Sequence, residues 1–146
     1  MATYQTFCKG LPRAIAEELG AAAAPHHLAT GWMVKLWFGN KDLHYECGVY
    51  PHRKVVELGL HFESDAFTNQ LLLGALRGHA KAIARRIPTA RIEPWDKGWA
   101  RVWEPIPLQR FDDAFGAQVT TTLATYVRVL EPILEDALPA DVRWSR

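Results

Sequence analysis

Residues 32–63, WMVKLWFGNKDLHYECGVYPHRKVVELGLHFE, decide the fold, because apolar residues recur there at every second position and turn chemistry interrupts them twice. Val34, Leu36 and Phe38 alternate with Met33, Lys35 and Trp37 up to Gly39-Asn40-Lys41-Asp42. Leu43, Tyr45, Cys47 and Val49 then alternate with His44, Glu46, Gly48 and Tyr50 up to Pro51-His52-Arg53-Lys54. Val56, Leu58, Leu60 and Phe62 follow, interleaved with Val55, Glu57, Gly59 and His61. The pattern predicts a three-stranded antiparallel meander with one apolar face. Closing the first turn with Phe38 opposite Leu43 sets Leu36 by Tyr45, Val34 by Cys47 and Trp32 by Val49. Closing the second with Tyr50 opposite Val55 sets Val49 by Val56, Cys47 by Leu58, Tyr45 by Leu60 and Leu43 by Phe62. A slip of one residue would carry charges into the core, so this register is strongly specified.

Outward from the meander, the period changes to that of a helix. Ser64-Asp65 supplies an N-cap, and Phe67, Leu71, Leu72, Ala75, Leu76, Ile83 and Ile87 follow at helical spacing until Pro88. A second β unit comes next, residues 91–95 and 99–103 around Asp96-Lys97-Gly98, a loop suited to a type I turn with Gly98 in the left-handed position. Ile92, Pro94, Ala100 and Val102 then face the core, and Pro94 marks an edge strand. Phe115, Val119, Leu123, Tyr126, Leu130, Ile133 and Leu138 share one face of a final helix over residues 111–138, which Pro132 is expected to kink or split. Upstream, Pro12 to Gly20 reads as a short helix with Pro in its first turn and Gly closing it, extended by residues 21–24 and stopped by Pro25. His26, His27, Thr30 and Gly31 read as a connector. The predicted order is α-β-β-β-α-β-β-α: an α+β two-layer sandwich with a five-stranded antiparallel sheet and helices on one face.

The chain has 146 residues, which suits one domain over residues 1–146 with a core of its own. Lys and Arg number 17 against 16 Asp and Glu, so the net charge of +1 lacks the basic excess typical of nucleic-acid binders. Cys8 and Cys47 have neither zinc spacing nor a disulfide framework. The start, MATYQTFCKG, lacks the basic and apolar segments of a secretory signal, and no apolar run reaches membrane-spanning length. The expectation is a reduced, cytoplasmic protein without a membrane segment.

The element order resembles the type III secretion chaperone-like fold, including its non-secretory bacterial relatives. It is also similar to an uncharacterised bacterial domain found with restriction-nuclease-like proteins, whose final helix carries an aromatic-x-x-aliphatic-x-Pro pattern approximated here by Tyr126-Val-Arg-Val-Leu-Glu-Pro132. Both resemblances imply a fold and no catalytic residue.

Function is sought on the face opposite the helices. There parity places Lys35, Trp37, Glu46, Tyr50, Glu93, Trp95, Trp99, Arg101 and Trp103, which include four of the six tryptophans. Cross-strand pairing accounts for part of this: Lys35 with Glu46, Glu93 with Arg101, Trp95 with Trp99, Trp37 beside His44. Trp, Tyr and Arg are also the residues enriched at interface centres, and Gly48 and Gly59 could leave a trough between them. The favoured expectation is therefore a non-catalytic binding module whose partner is another protein or a second copy of the chain, or else a small apolar ligand. A metal-dependent or small-molecule enzyme is the alternative, since His44 falls opposite His61 with Glu46 and Glu57, and also Glu63, on the same strands. A third expectation uses Arg77, Lys81, Arg85 and Arg86, a basic stripe able to meet phosphates, though a solvated helix face explains it equally well. No phosphate loop, nucleophile elbow or zinc-protease motif occurs, and no cofactor is implied.

Overall fold

The computed structural model describes residues 3–20 and 25–143. Among these residues it is a mixed α+β chain with one antiparallel sheet of six strands and five helices. In chain order these are α1 (Tyr4–Leu19), β1 (His26–Ala29), β2 (Met33–Trp37), β3 (Leu43–Tyr50), β4 (Val55–Phe62), α2 (Ala66–Gly78), α3 (Ala80–Arg86), β5 (Arg91–Pro94), β6 (Ala100–Pro107), α4 (Asp113–Ala137) and α5 (Ala140–Arg143). The strands lie side by side as β1-β2-β3-β4-β6-β5.

The meander has the register its turns require. Leu36 faces Tyr45 and Val34 faces Cys47; Leu43, Tyr45, Cys47 and Val49 face Phe62, Leu60, Leu58 and Val56. The Val49 N–H donates to the Trp32 carbonyl at 2.8 Å, continuing that ladder. Apart from the half-buried Phe38, the apolar parity set is buried together with Cys8, Leu11 and Ile15 of α1, Leu72 and Leu76 of α2, Ile83 of α3, and Val119, Leu123, Leu130 and Leu134 of α4. Two tyrosine hydroxyls inside this core are paired, as burial demands. Tyr45 donates its hydroxyl to Glu131 Oε2 at 2.8 Å, and Tyr126 donates to Glu104 Oε1 at 2.9 Å.

Four expectations need correction. The sheet has six strands instead of five, because residues 26–29, taken for a connector, pair with β2 as an edge strand. All four are exposed, so this strand has no buried side from which a period of two could arise. The first helix starts at Tyr4, capped by the Thr3 side chain, and Pro12 lies inside it; Gly20 closes it at φ 61 as expected. Its suggested extension through residues 21–24 lies outside the described residues. The helix expected over residues 67–87 is two, broken between Gly78 and His79, although Asp65 caps it as anticipated. Finally, Pro132 is accommodated within α4 and does not split it.

The second β unit forms as expected, with Glu93 opposite Arg101 and a hairpin closed by Trp95 N–H to the Trp99 carbonyl at 2.6 Å. Both Lys97 (φ 60) and Gly98 (φ 76) are left-handed there. Ala100 and Val102 are buried, whereas Pro94, expected in the core, is exposed at the edge of the sheet. Among the described residues, no helix is long and apolar enough to cross a membrane.

Candidate functional site

Parity along β3 and β4 delivers four ionisable side chains to one point on the sheet face away from the core. His44 stands opposite His61, and Glu46 lies two residues further along β3. Glu63 follows β4 by one residue, and its N–H donates to the Asp42 carbonyl at 2.8 Å, which extends the strand geometry past Phe62. One donor atom from each of these four side chains lies within 4.8 Å of all the others.

The histidine at the centre has its tautomer set by the backbone. His44 Nδ1 is 2.9 Å from the Lys41 carbonyl, and a carbonyl can only accept, so Nδ1 carries a proton. In the neutral ring this leaves Nε2 with a free lone pair. That atom is buried, makes no hydrogen bond, and points at Glu46 Oε1 (3.4 Å) and Glu63 Oε2 (3.7 Å). His61 stacks on His44 with ring centroids 5.7 Å apart. Its Nδ1 lies 3.3 Å from Glu63 Oε2 and its Nε2 lies 3.9 Å from Glu46 Oε2. Burial pushes the Glu46 and Glu63 carboxyls upward, but the facing imidazoles and the Lys35 ammonium outweigh it and hold both below their ordinary value.

The turn that supplies the Lys41 carbonyl is itself anchored. Asn40 Oδ1 accepts from the Asp42 N–H, Asn40 Nδ2 donates to the Val142 carbonyl at 3.0 Å, and the Asn40 N–H donates to the Arg143 carbonyl. Arg143 in turn is buried and paired with Glu131. The C-terminal segment thus reaches His44 through one asparagine.

Around the four side chains stand the residues expected on this face. Lys35 faces Glu46 across β2 and β3. On the other side, Arg101 is the partner of His61 across β4 and β6. Its guanidinium lies over Trp103 at 3.9 Å and over Trp95 at 4.5 Å, and it meets Glu93 at 3.4 Å. Trp103 Nε1 donates to Glu93 Oε1 at 2.6 Å. Trp95 meets His61 edge-on at 4.8 Å and lies beside Trp99, over which sits Lys97. Trp37 stacks on His26 and takes Lys41 over its ring. Each indole of the expected set therefore has a cation over it.

Two expected features differ. Glu57 does not join the histidines: Arg53 (3.1 Å) and Arg101 (3.9 Å) draw its carboxylate toward them. Glu63 takes its place, and its two-residue spacing from His61, which keeps the same parity, was the available signal. The trough over Gly48 and Gly59 is filled. The Tyr50 ring lies 2.8 Å from where a Gly48 Cβ would stand, and the backbone of Val102 and Trp103 closes on Gly59, with the Val102 carbonyl 2.1 Å from its Cβ position. The exposed basic residues fall on two consecutive helices, Arg77 on α2 and Lys81, Arg85 and Arg86 on α3. Both thiols are buried, and burial raises the Cys8 thiol to about 11 and the Cys47 thiol further, so neither is a nucleophile near neutral pH.

Two imidazoles and two carboxylates are donors for a first-row divalent cation, and a His fixed through Nδ1 by a backbone carbonyl is the usual outer support of such a ligand. Searches against protein families, curated proteins and solved structures find no match to this chain.

Proposed function

We propose that the chain is a binding module whose working surface is the sheet face away from the core, and that its centre is a divalent-cation site made by His44, Glu46, His61 and Glu63. In the two-layer reading of the fold, the helices occupy the opposite side and leave this face for ligand. The observation that carries the proposal is His44 Nε2: a buried nitrogen with its proton on the far side of the ring and two carboxylates in front of it. Without a cation, the ring must either be protonated to meet those carboxylates or leave its lone pair facing negative charge. A divalent ion satisfies all four groups at once and cancels both carboxylate charges.

The class of ion follows from the donors. Mixed nitrogen and oxygen ligands suit manganese, iron, cobalt, nickel or zinc better than calcium or magnesium, which prefer oxygen alone. Calorimetric titration of apoprotein with Co2+ and Zn2+ tests the site. His44→Ala and Glu63→Gln should each weaken binding at least tenfold, in line with the loss of one ligand, and Glu57→Gln should leave it within twofold. Equal affinity in His44→Ala and wild type would remove the site.

A second reading keeps the same face and changes the occupant. On that face the Trp95 indole is 36% exposed. Large exposed indoles favour contact with a partner protein or a second copy of the chain. Sedimentation of wild type beside Trp99→Ala separates the cases: self-association that the substitution weakens supports the copy, and two identical monomers remove it.

A further inference from the structure

We propose that the cation, once bound, takes a small chelating organic acid as its remaining ligand, a carboxylate with a second oxygen donor beside it, and that Lys35 supplies the counter-charge; this rests on the metal centre proposed above. Three observations lead there. The first is coordination. The protein supplies four donors within 4.8 Å of one another, and an ion of the class proposed above that takes octahedral coordination keeps two further positions unfilled by protein. The second is access. The imidazoles are 3% and 5% exposed, but the Glu46 and Glu63 side chains are 17% and 15% exposed, so solvent reaches the centre on its carboxylate side.

The third is charge. Two carboxylates neutralise a divalent ion, leaving the loaded centre without net charge. Arg101 is answered by Glu57 and Glu93. Lys35 is not: it is half-buried, stands across from Glu46, and among the described residues makes no hydrogen bond or ion pair within 4.0 Å. A loaded centre bordered by one unanswered ammonium attracts an anion, and two vacant positions on one side favour an anion that offers two oxygens. Trp95, edge-on to His61 at 4.8 Å, borders the centre on its β6 side.

Oxalate is the simplest probe. Protein loaded with Co2+ is titrated with oxalate and followed by visible absorption, with acetate as the single-donor comparison. Oxalate should shift the cobalt bands at a concentration at least tenfold below acetate. Lys35→Gln should bind Co2+ within threefold of wild type and require at least fivefold more oxalate, while Lys35→Arg should restore the wild-type response. Cobalt bands that ignore oxalate, or that respond equally in wild type and Lys35→Gln, overturn the inference and leave the metal centre standing. Failure of wild type to bind Co2+ at all removes the metal centre, and the inference with it.

Discussion

Gly59 shows how far one residue constrains the site. It faces Glu46 on one side and Trp103 on the other, and β6 lies against it so closely that a Cβ would overlap the Val102 carbonyl. Gly59→Ala should therefore force β4 and β6 apart and lower stability by about 3 kcal/mol, the upper end for overpacking, as read by urea unfolding. Gly48 is less demanding, since its neighbour is the Tyr50 ring, which can rotate away; Gly48→Ala should stay near 1 kcal/mol, the low end for overpacking. Sequence parity was enough to bring His44 and His61 together, because a period of two fixes the side to which each residue points. It could not choose between Glu57 and Glu63. That choice depends on Arg53 and Arg101, one in the turn after β3 and one on β6, far along the chain, competing for Glu57.

At the scale of elements, the strands with one face in the core were legible and the rest less so. β1 carries no burial pattern, and the break between α2 and α3 at His79 carries no proline, so neither announces itself. The start of α1 at Tyr4 was hidden because Pro12 looks like a first-turn residue, yet a helix can keep a proline when packing on both sides of it compensates. Two element-level outcomes can be measured. Asp65→Ala removes the side chain that accepts from the Thr68 N–H at 2.8 Å, and should cost about 1 kcal/mol. Asn40→Ala removes the side-chain bond that ties the turn before β3 to α5 and the one that closes the turn on Asp42, leaving only the backbone N–H to Arg143. It should lower the affinity for Co2+ severalfold, because the Lys41 carbonyl would no longer hold the His44 ring; an unchanged affinity would show that this carbonyl is positioned by the ladder alone.

For the whole molecule, the site and the core respond to acid in opposite senses. Glu46 and Glu63 have their carboxyls held below the ordinary range in the folded chain, so they contribute stability above about pH 4.5, which fades as pH falls through their lowered values. Glu131 has the reverse sign. Burial raises it despite Arg143 and Tyr45, so its contribution is present at low pH and is lost as pH rises through its raised value. Glu63→Gln should therefore flatten the acid limb of a stability profile measured by urea unfolding, and Glu131→Gln should flatten the limb above it. Proton competition for the ligand atoms adds a separate effect: cation affinity should fall as the solution is acidified.

The two cysteines give this molecule an internal clock. Cys8 rides on α1 and Cys47 on β3, so they sit on the two halves of the seam between helix and sheet, both out of reach of reagents. Alkylation of native protein by iodoacetamide must wait for that seam to part. The labelling rate of each thiol consequently counts openings: similar slow rates would mean that helix and sheet separate as one event, and a faster Cys8 would mean that α1 peels away first.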